Sequence, residues 1–416
     1  MKYLKKILRL YYILVRKFRN SFSESPFFKS SGSINDYSFQ TLSNVNGSIF
    51  FGYHDKTPFN HSDDKVLSML RTGSDFNSTN NDEIQLGYFE KNSKGLFINK
   101  FIPFSSSNSW CWQQGCMLQW LQNSETDKAI YNTIVDGEFG SEIYCFSKKS
   151  VIQKNKYPIY SLSPDGMYAS SINFSALGVY RPGYGYNNFK YVQNDGISKH
   201  DGLFCVNLQN DKKELFVSLH ELSRDVENAD DYYHYINHCS FSPDSRKLSF
   251  FHVLQNKAKS SKQIRFCIFD LNSQKHHCVE DNLLVSHYCW IDNKALLVSV
   301  RDEFLNWSYK KYDIELQTNI DTKIKFYTDG HPMISPVNKD MFVTDTSYTD
   351  KNKNLHLFIS DTSKLTLSKL KSFYIPINYI GEIRCDLHPR WNCIGDKISV
   401  DICSNEKREM GILYLN

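Results

Sequence analysis

The chain has 416 residues, 41% apolar and 15% aromatic, with 49 basic against 45 acidic side chains and a formal net charge of +4. That balance argues against nucleic acid as a partner, and the length with its strand-favouring aromatics suits one large repeat-built domain. The 11 cysteines are odd in number and scattered, with no zinc-finger spacing. They read as reduced thiols of a cytoplasmic chain, and Cys145, Cys205 and Cys267, inside apparent strands, read as small buried apolar groups.

Residues 1–20, "MKYLKKILRLYYILVRKFRN", contain no uncharged run long enough to span a bilayer, and Arg9 and Arg16 interrupt the apolar core a signal peptide needs. On a helix, Lys2, Lys5, Lys6, Arg9, Arg16, Lys17 and Arg19 share one face, and Leu4, Ile7, Leu8, Tyr11, Leu14, Val15 and Phe18 share the other, with Ile13 the main exception. Such a basic amphipathic helix suits an anionic membrane surface, which places the chain at the cytoplasmic side of the inner membrane; packing on the domain or on a partner is the alternative. Residues 21–35 read as a linker, and residues 36–416 as the folded domain.

Within that domain one phrase recurs. "HCSFSPDSRKLSFFHV" starts at His238, "HYCWIDNKALLVSV" at His287, "HPMISPVNKDMFVTDT" at His331 and "HPRWNCIGDKISVDIC" at His388. Each places an apolar anchor three residues after the histidine (Phe241, Trp290, Ile334, Trp391), then a polar turn, then an alternating strand. Segments around Phe59, Trp120 and Leu162 keep the pattern without the histidine, and a further strand follows every copy. Seven such copies of short antiparallel strands predict an all-β, seven-bladed β-propeller preceded by the amphipathic helix. The chain ends on the third strand of copy seven, so residues 36–42, "DYSFQTL" with its leading Asp, are expected to supply the missing outer strand and close the ring. In the "SPDG" and "SPDS" turns, Pro presets the turn, Asp bonds back to the backbone, and Gly or Ser accepts the tight geometry. These phrases resemble the repeats of TolB-like propellers, which implies the fold over residues 36–416 and leaves the activity open.

In a propeller, the residues before the innermost strand and after the second strand meet at one mouth of the channel. The first set contains His238, His287, His331 and His388; the second reads Arg71, Asn132, Asn173, His252, Arg301, Asp345 and Asp401. "FGYHDKTPF" adds His54 and Asp55, "WCWQQGCMLQW" adds Trp110, Trp112, Gln113 and Gln114, and "RPGYGY" adds Arg181, Tyr184 and Tyr186. Polar, titratable groups converging from separate loops are the raw material of a site. The tyrosines and tryptophans offer flat faces for sugar rings, and Gln114, Arg71, His252, Asp345 and Asp401 are substrate-binding candidates. A His-Pro before a propeller strand also has a structural use, its ring bonding a neighbouring blade, and the tryptophan-rich stretch reads equally well as core.

Converging imidazoles suit a divalent metal such as Mn or Zn, bound in their neutral form, so affinity is expected to fall as pH drops through the histidine range. The chain is similar, distantly, to the oligogalacturonate lyases, seven-bladed propellers that hold a metal, commonly manganese, through histidines and a glutamine. In that family the metal and an arginine neutralise a uronate carboxylate while a histidine removes the C5 proton. The resemblance implies His287, His331 and His388 as metal ligands, His238 as a fourth ligand or the base, and Arg181 or Arg301 as the carboxylate partner; His54 stands with them as a catalytic candidate. The family's close run of Gln and His ligands is not evident ahead of blade seven, where only His388 stands. The phrases "GYHDKTPFN", "WQQGCMLQW", "RPGYGY", "NHCSFSPD", "DGHP" and "CDLHPRW" also resemble an uncharacterised propeller family of bacterial surface-polysaccharide gene sets, which implies a glycan context. Two readings follow. One is a lyase-type or hydrolytic enzyme acting on an acidic oligo- or polysaccharide; the other is a non-catalytic glycan-binding or scaffolding propeller of O-antigen or capsule synthesis at the membrane.

Overall fold

A computed structural model describes residues 36–415 apart from 78–81, 123, 125, 194–195, 260, 282, 327 and 405–406. The expected helix over residues 1–20 and the linker after it therefore lie outside the described residues. The chain folds as the expected seven-bladed propeller, each blade an antiparallel sheet. Blade 1 consists of Gly47–Phe50, Lys65–Thr72, Ile84–Glu90 and Ile102–Ser107, and blade 2 of Gln119–Trp120, Lys128–Val135, Glu138–Cys145 and Ser150–Asn155. Blade 3 has Tyr168–Ser171, Gly202–Asn207 and Lys212–Ser218, with Leu162 bridging Ala169 where an innermost strand would run. Blades 4, 5 and 6 have four strands each, the innermost being Tyr232–Phe241, Leu284–Trp290 and Met333–Ile334.

Blade 7 closes the ring as expected. Its strands Arg390–Trp391, Lys397–Ser404 and Lys407–Leu415 are completed by Tyr37–Leu42, which runs antiparallel to the last of them with Tyr37 opposite Leu415. This joins the two ends of the domain in one sheet and covers an edge that would otherwise expose unpaired backbone.

The repeated phrase works as a staple between blades. The indole nitrogens of Trp120, Trp290 and Trp391 each donate to a backbone carbonyl of the preceding blade, Pro58, Ser240 and Met333 respectively, at 2.7, 3.2 and 3.1 Å. The anchors thus combine apolar burial with a satisfied indole N–H. The turns also behave as read: Asp165 accepts from the backbone N–H of Met167 at 2.9 Å, and Asp244 from that of Arg246 at 3.2 Å.

Blade 3 carries a long excursion between Tyr168–Ser171 and Gly202–Asn207. It begins with a short helix, Phe174–Tyr180, capped by the Asn173 side chain. Gly185 is required where the excursion crosses this helix, because a Cβ there would lie 2.2 Å from the Gly178 backbone nitrogen.

Candidate functional site

The four repeated histidines do converge. The rings of His287 and His331 lie 4.0 Å apart between centroids, those of His331 and His388 4.4 Å, and those of His238 and His287 6.1 Å. His331 and His388 stand just ahead of their innermost strands, whereas His238 and His287 sit at β-bulges inside theirs. A bulge re-aims a side chain, and it lets a strand interior contribute to the same cluster. His238 and His388 have left-handed backbone (φ 54° and 44°), but so does Met117, three residues before Trp120. The conformation thus belongs to the repeat and is not peculiar to the histidines.

Blade 1 adds the group that fills the middle. Its innermost strand stops at Phe50 and the chain pairs again only at Phe59; residues 51–58 bulge into the channel between. The Tyr53 ring stacks on His238 at 4.9 Å and stands 4.9 Å from His388, 6.0 Å from His331 and 6.1 Å from His287. His54 follows it in, 5.3 Å from His331, and donates from Nδ1 to the Pro332 carbonyl at 3.1 Å. The fully buried Arg390 ties this excursion down: it donates to the carbonyls of Gly52 and Tyr53 and makes a paired contact with Asp401 at 3.2 and 3.0 Å. Asp401 in turn accepts the backbone N–H groups of Phe51 and Gly52, both at 3.2 Å.

Carboxylates orient two of the imidazoles. His287 Nδ1 donates to Asp329 at 3.0 Å and His331 Nδ1 to Asp345 at 2.7 Å, which leaves both Nε2 atoms for other work. Burial, together with the neighbouring imidazoles His331, His287 and His238, holds His54 well below the usual histidine range. Burial and Arg181 do the same to His238, and burial, His331 and Arg390 to His388. Burial lowers His287 as well, against the pull of Asp329. His331 goes the other way: burial opposes its charge, but Asp345, with Asp386 and Asp329 nearby, raises it to about 9. The cluster is therefore a set of neutral imidazoles around one position where three carboxylates favour positive charge.

The residues around that position are ones that could hold a metal ion. A ligand atom from each of His331, Asp386 and His388 lies within 4.8 Å of the other two, and all three residues are buried. His388 Nε2 is buried with no hydrogen-bond partner, and at 3.9 Å the Asp386 carboxylate is too far to serve as one. Two imidazoles and a carboxylate, one imidazole backed by Asp345, form a donor set that suits Mn or Zn. Asp386 joins His331 and His388 in this set, and His287, whose Nε2 is likewise left free by its bond to Asp329, has its ring 4.0 Å from that of His331.

The remaining sequence candidates divide. Arg181 and Tyr184 reach the cluster: the Arg181 guanidinium lies 4.1 Å above the Tyr184 ring, and that ring stands 5.8 Å from His238. Among the described residues no carboxylate pairs with Arg181. Gln114 lies inside as well, donating to the Tyr160 hydroxyl at 2.5 Å, and that hydroxyl accepts the His238 backbone N–H. Arg301 is not brought in; its guanidinium packs over Trp307 at 5.6 Å. Tyr186 is core, stacked on Phe174 at 4.5 Å, and Trp112 is buried against Phe50 and Arg408, so neither presents a free face to a sugar.

The second set of expected residues serves the scaffold rather than an open surface. Arg71 pairs with Asp82 at 2.7 Å. His252 is buried and shares a proton with His234 across 3.0 Å. Asn132, Asp345 and Asp401 repeat one device, each accepting a backbone N–H from the chain entering the next blade: Ile159 at 2.7 Å, His388 at 3.1 Å, and Phe51 with Gly52. A buried N–H must find a partner, and the end of each second strand is where one is needed.

Sequence reasoning missed Tyr53, Asp329, Asp386, Arg384 and Arg390. A signal for two of them was present, because "DGH" and "DLH" both place Asp two residues before the histidine. Arg384 bonds both Asp386, at 2.8 Å, and the Tyr184 hydroxyl, which links the "CDLHPRW" and "RPGYGY" phrases.

No family model matches the chain, and no curated protein matches it. Solved structures do. An oligogalacturonate lyase in complex with manganese is 11% identical with a TM-score of 0.63, covering 91% of this chain and 96% of that one. Oligogalacturonate lyase from Vibrio parahaemolyticus is 12% identical with a TM-score of 0.62, covering 92% and 98%. A puromycin-hydrolyzing peptidase from Mycobacterium tuberculosis is 9% identical with a TM-score of 0.51, covering 91% of this chain and 56% of that one. At these identities the likeness is one of fold: the chain is a seven-bladed propeller with the architecture of the oligogalacturonate lyases.

Proposed function

We propose that the chain is a carbohydrate-active enzyme that cleaves an acidic glycan by β-elimination at the channel cluster. The observation that carries this is the convergence of four imidazoles with the buried Asp386 and with the Arg181 guanidinium, which no carboxylate pairs among the described residues. Arg181 meets a uronate carboxylate and withdraws charge from C5. His238, neutral because burial and Arg181 disfavour its proton, takes the C5 proton. The electrons of that C–H bond form the C4–C5 double bond as the C4–O bond breaks, and the leaving sugar oxygen takes up a proton. His331, Asp386 and His388 would hold Mn or Zn, which when bound supplies Lewis-acid stabilisation of the developing enolate. Access requires residues 51–58 to yield, since the cavity beside Tyr53 and His238 is about 10 Å³, about the room of one water.

A test uses the full chain without a histidine tag. Metal content and release of unsaturated uronate from oligogalacturonate are measured for wild type and for the His331→Ala, His388→Ala double variant. About one Mn or Zn per chain with product formation, both lost in the variant, supports the reading. Product formation unchanged in the variant refutes it.

The closed state of the cluster favours a second reading, a propeller that binds glycan without cleaving it in surface-polysaccharide synthesis. Binding of an acidic glycan with no product under any metal supports that reading. Attachment to an anionic inner-membrane surface through residues 1–20, in the cytoplasm, belongs to both readings as a proposal; vesicle binding by the full chain, lost without those residues, tests it.

A further inference from the structure

A second opening lies away from the histidines. A cleft of about 470 Å³ lies where blades 2, 3 and 4 meet, within the size range of small-molecule sites. The blade 3 excursion forms one side, and the start of strand Tyr232–Phe241 forms the other. Tyr180 stacks on Tyr233, at 5.1 Å, and on Tyr235, at 5.6 Å, and Tyr191 stands at a steep angle to it at 5.7 Å. Tyr191 and Tyr233 are half-buried, so their rings are held in place yet reachable. A fixed tyrosine with an apolar face and a polar edge matches a sugar ring, which has the same two characters.

Charge in and around the cleft is asymmetric. Asp201 is occupied by the Asn173 amide at 2.8 Å and the Gly202 N–H at 2.7 Å. Glu138 stands exposed at the blade 2 edge. On the other side Lys257 lies 5.5 Å over the Tyr233 ring, and Lys262 lies 6.0 Å over Tyr235. Burial, and after it the charge of Arg181, holds Lys262 down to about 8. Packed side chains link the cleft to the cluster: Tyr180 adjoins Arg181, the Arg181 guanidinium covers Tyr184, and Tyr184 stands against His238.

We infer that this cleft is a second glycan subsite, which holds anionic sugar units remote from the scissile bond, with Tyr191 and Tyr233 against the rings, Lys257 against the carboxylates, and Lys262 adding positive charge beside the cleft. The inference rests on the acidic-glycan reading above and extends it from a reacting unit to a chain several units long. Remote contacts of this kind add binding energy that a short substrate lacks.

The test compares hexagalacturonate with digalacturonate on the full chain, by titration calorimetry and by unsaturated-product release. Tyr233→Ala and the surface double variant Lys257→Ala, Lys262→Ala are expected to weaken hexamer binding and raise its KM about 10-fold, leaving the dimer's KM and kcat unchanged. The lysine variant guards against misfolding of the tyrosine one. The His331→Ala, His388→Ala variant is expected to lose turnover and keep hexamer binding. Hexamer binding that both cleft variants leave intact overturns the inference, and so does an equal effect on dimer and hexamer. Failure of wild type to bind the hexamer overturns it too. If wild type binds the hexamer and releases no product, the lyase reading falls, while the cleft stands if its variants weaken binding.

Discussion

Two regions of this propeller invert each other. The channel cluster is rich in chemistry and closed; the cleft at blades 2, 3 and 4 is open and carries recognition groups. The cluster is packed because blades 4 to 7 each send a histidine to the same axis, and Tyr53 of blade 1 fills what is left. The cleft is open because a long excursion leaves the sheet and returns without filling the space beside it. A propeller concentrates its sequence repeats at the centre and its irregularities at the rim. Titratable clusters are therefore expected from the repeats, and selectivity from the insertions.

The largest effect that would break this contrast is on the closed side. Arg390→Ala leaves Asp401 buried without its cation and releases Gly52 and Tyr53. It should destabilise the fold by about 3–5 kcal/mol, measured by denaturant unfolding, and a loss under about 1 kcal/mol would mean that Arg390 does not hold the excursion shut. Next, Asp345→Asn removes the carboxylate behind His331 and weakens the acceptor for the His388 N–H. Affinity for added Mn or Zn, measured by competition with a chelating dye, should fall about 10- to 100-fold, and an unchanged affinity would take Asp345 out of the site.

The smallest effect sharpens the boundary between the two regions. His234 lines the cleft and His252 backs it; burial, helped by Lys257 on His234 and by His234 itself on His252, holds both below the usual histidine range. The unfolded chain takes up protons that these residues refuse when folded. Their contribution to stability is complete above about pH 6.5 and is lost as pH falls below that toward their folded values. Stability should therefore fall with acidification in that window, and less steeply in His252→Phe. An identical slope in the variant would show that the pair is not what titrates.

Much of the centre could be read in advance because it repeats. His238, His287, His331 and His388 stand at one offset from four anchors, and the fold's symmetry turns equal offset into spatial convergence. The closing strand was legible for a related reason: a chain that ends on a third strand needs an outer partner, and Tyr37–Leu42 is the one at hand. Tyr53 and Arg390 were not legible, since their partners lie across the seam between the first and last blades, more than 330 residues apart in sequence. Asp345 and Asp401 were in plain view, but as substrate-binding candidates. Their task, accepting buried N–H groups from the next blade, follows only from where that blade's chain passes. Tyr186 and Trp112 show the converse, because aromatic composition cannot distinguish a face that packs from a face that waits for a ligand.

Hydrophobic period, turn chemistry and repeat length are local properties, and they were sufficient for the seven blades, the Velcro-like closure and the histidine cluster. Which ring nitrogen is free, which carboxylate stands behind which imidazole, and whether the channel is open depend on contacts between blades. So does the cleft, whose walls come from three blades at once. Those contacts exist only when the ring is closed, because its curvature sets the distances between groups that the chain itself keeps far apart.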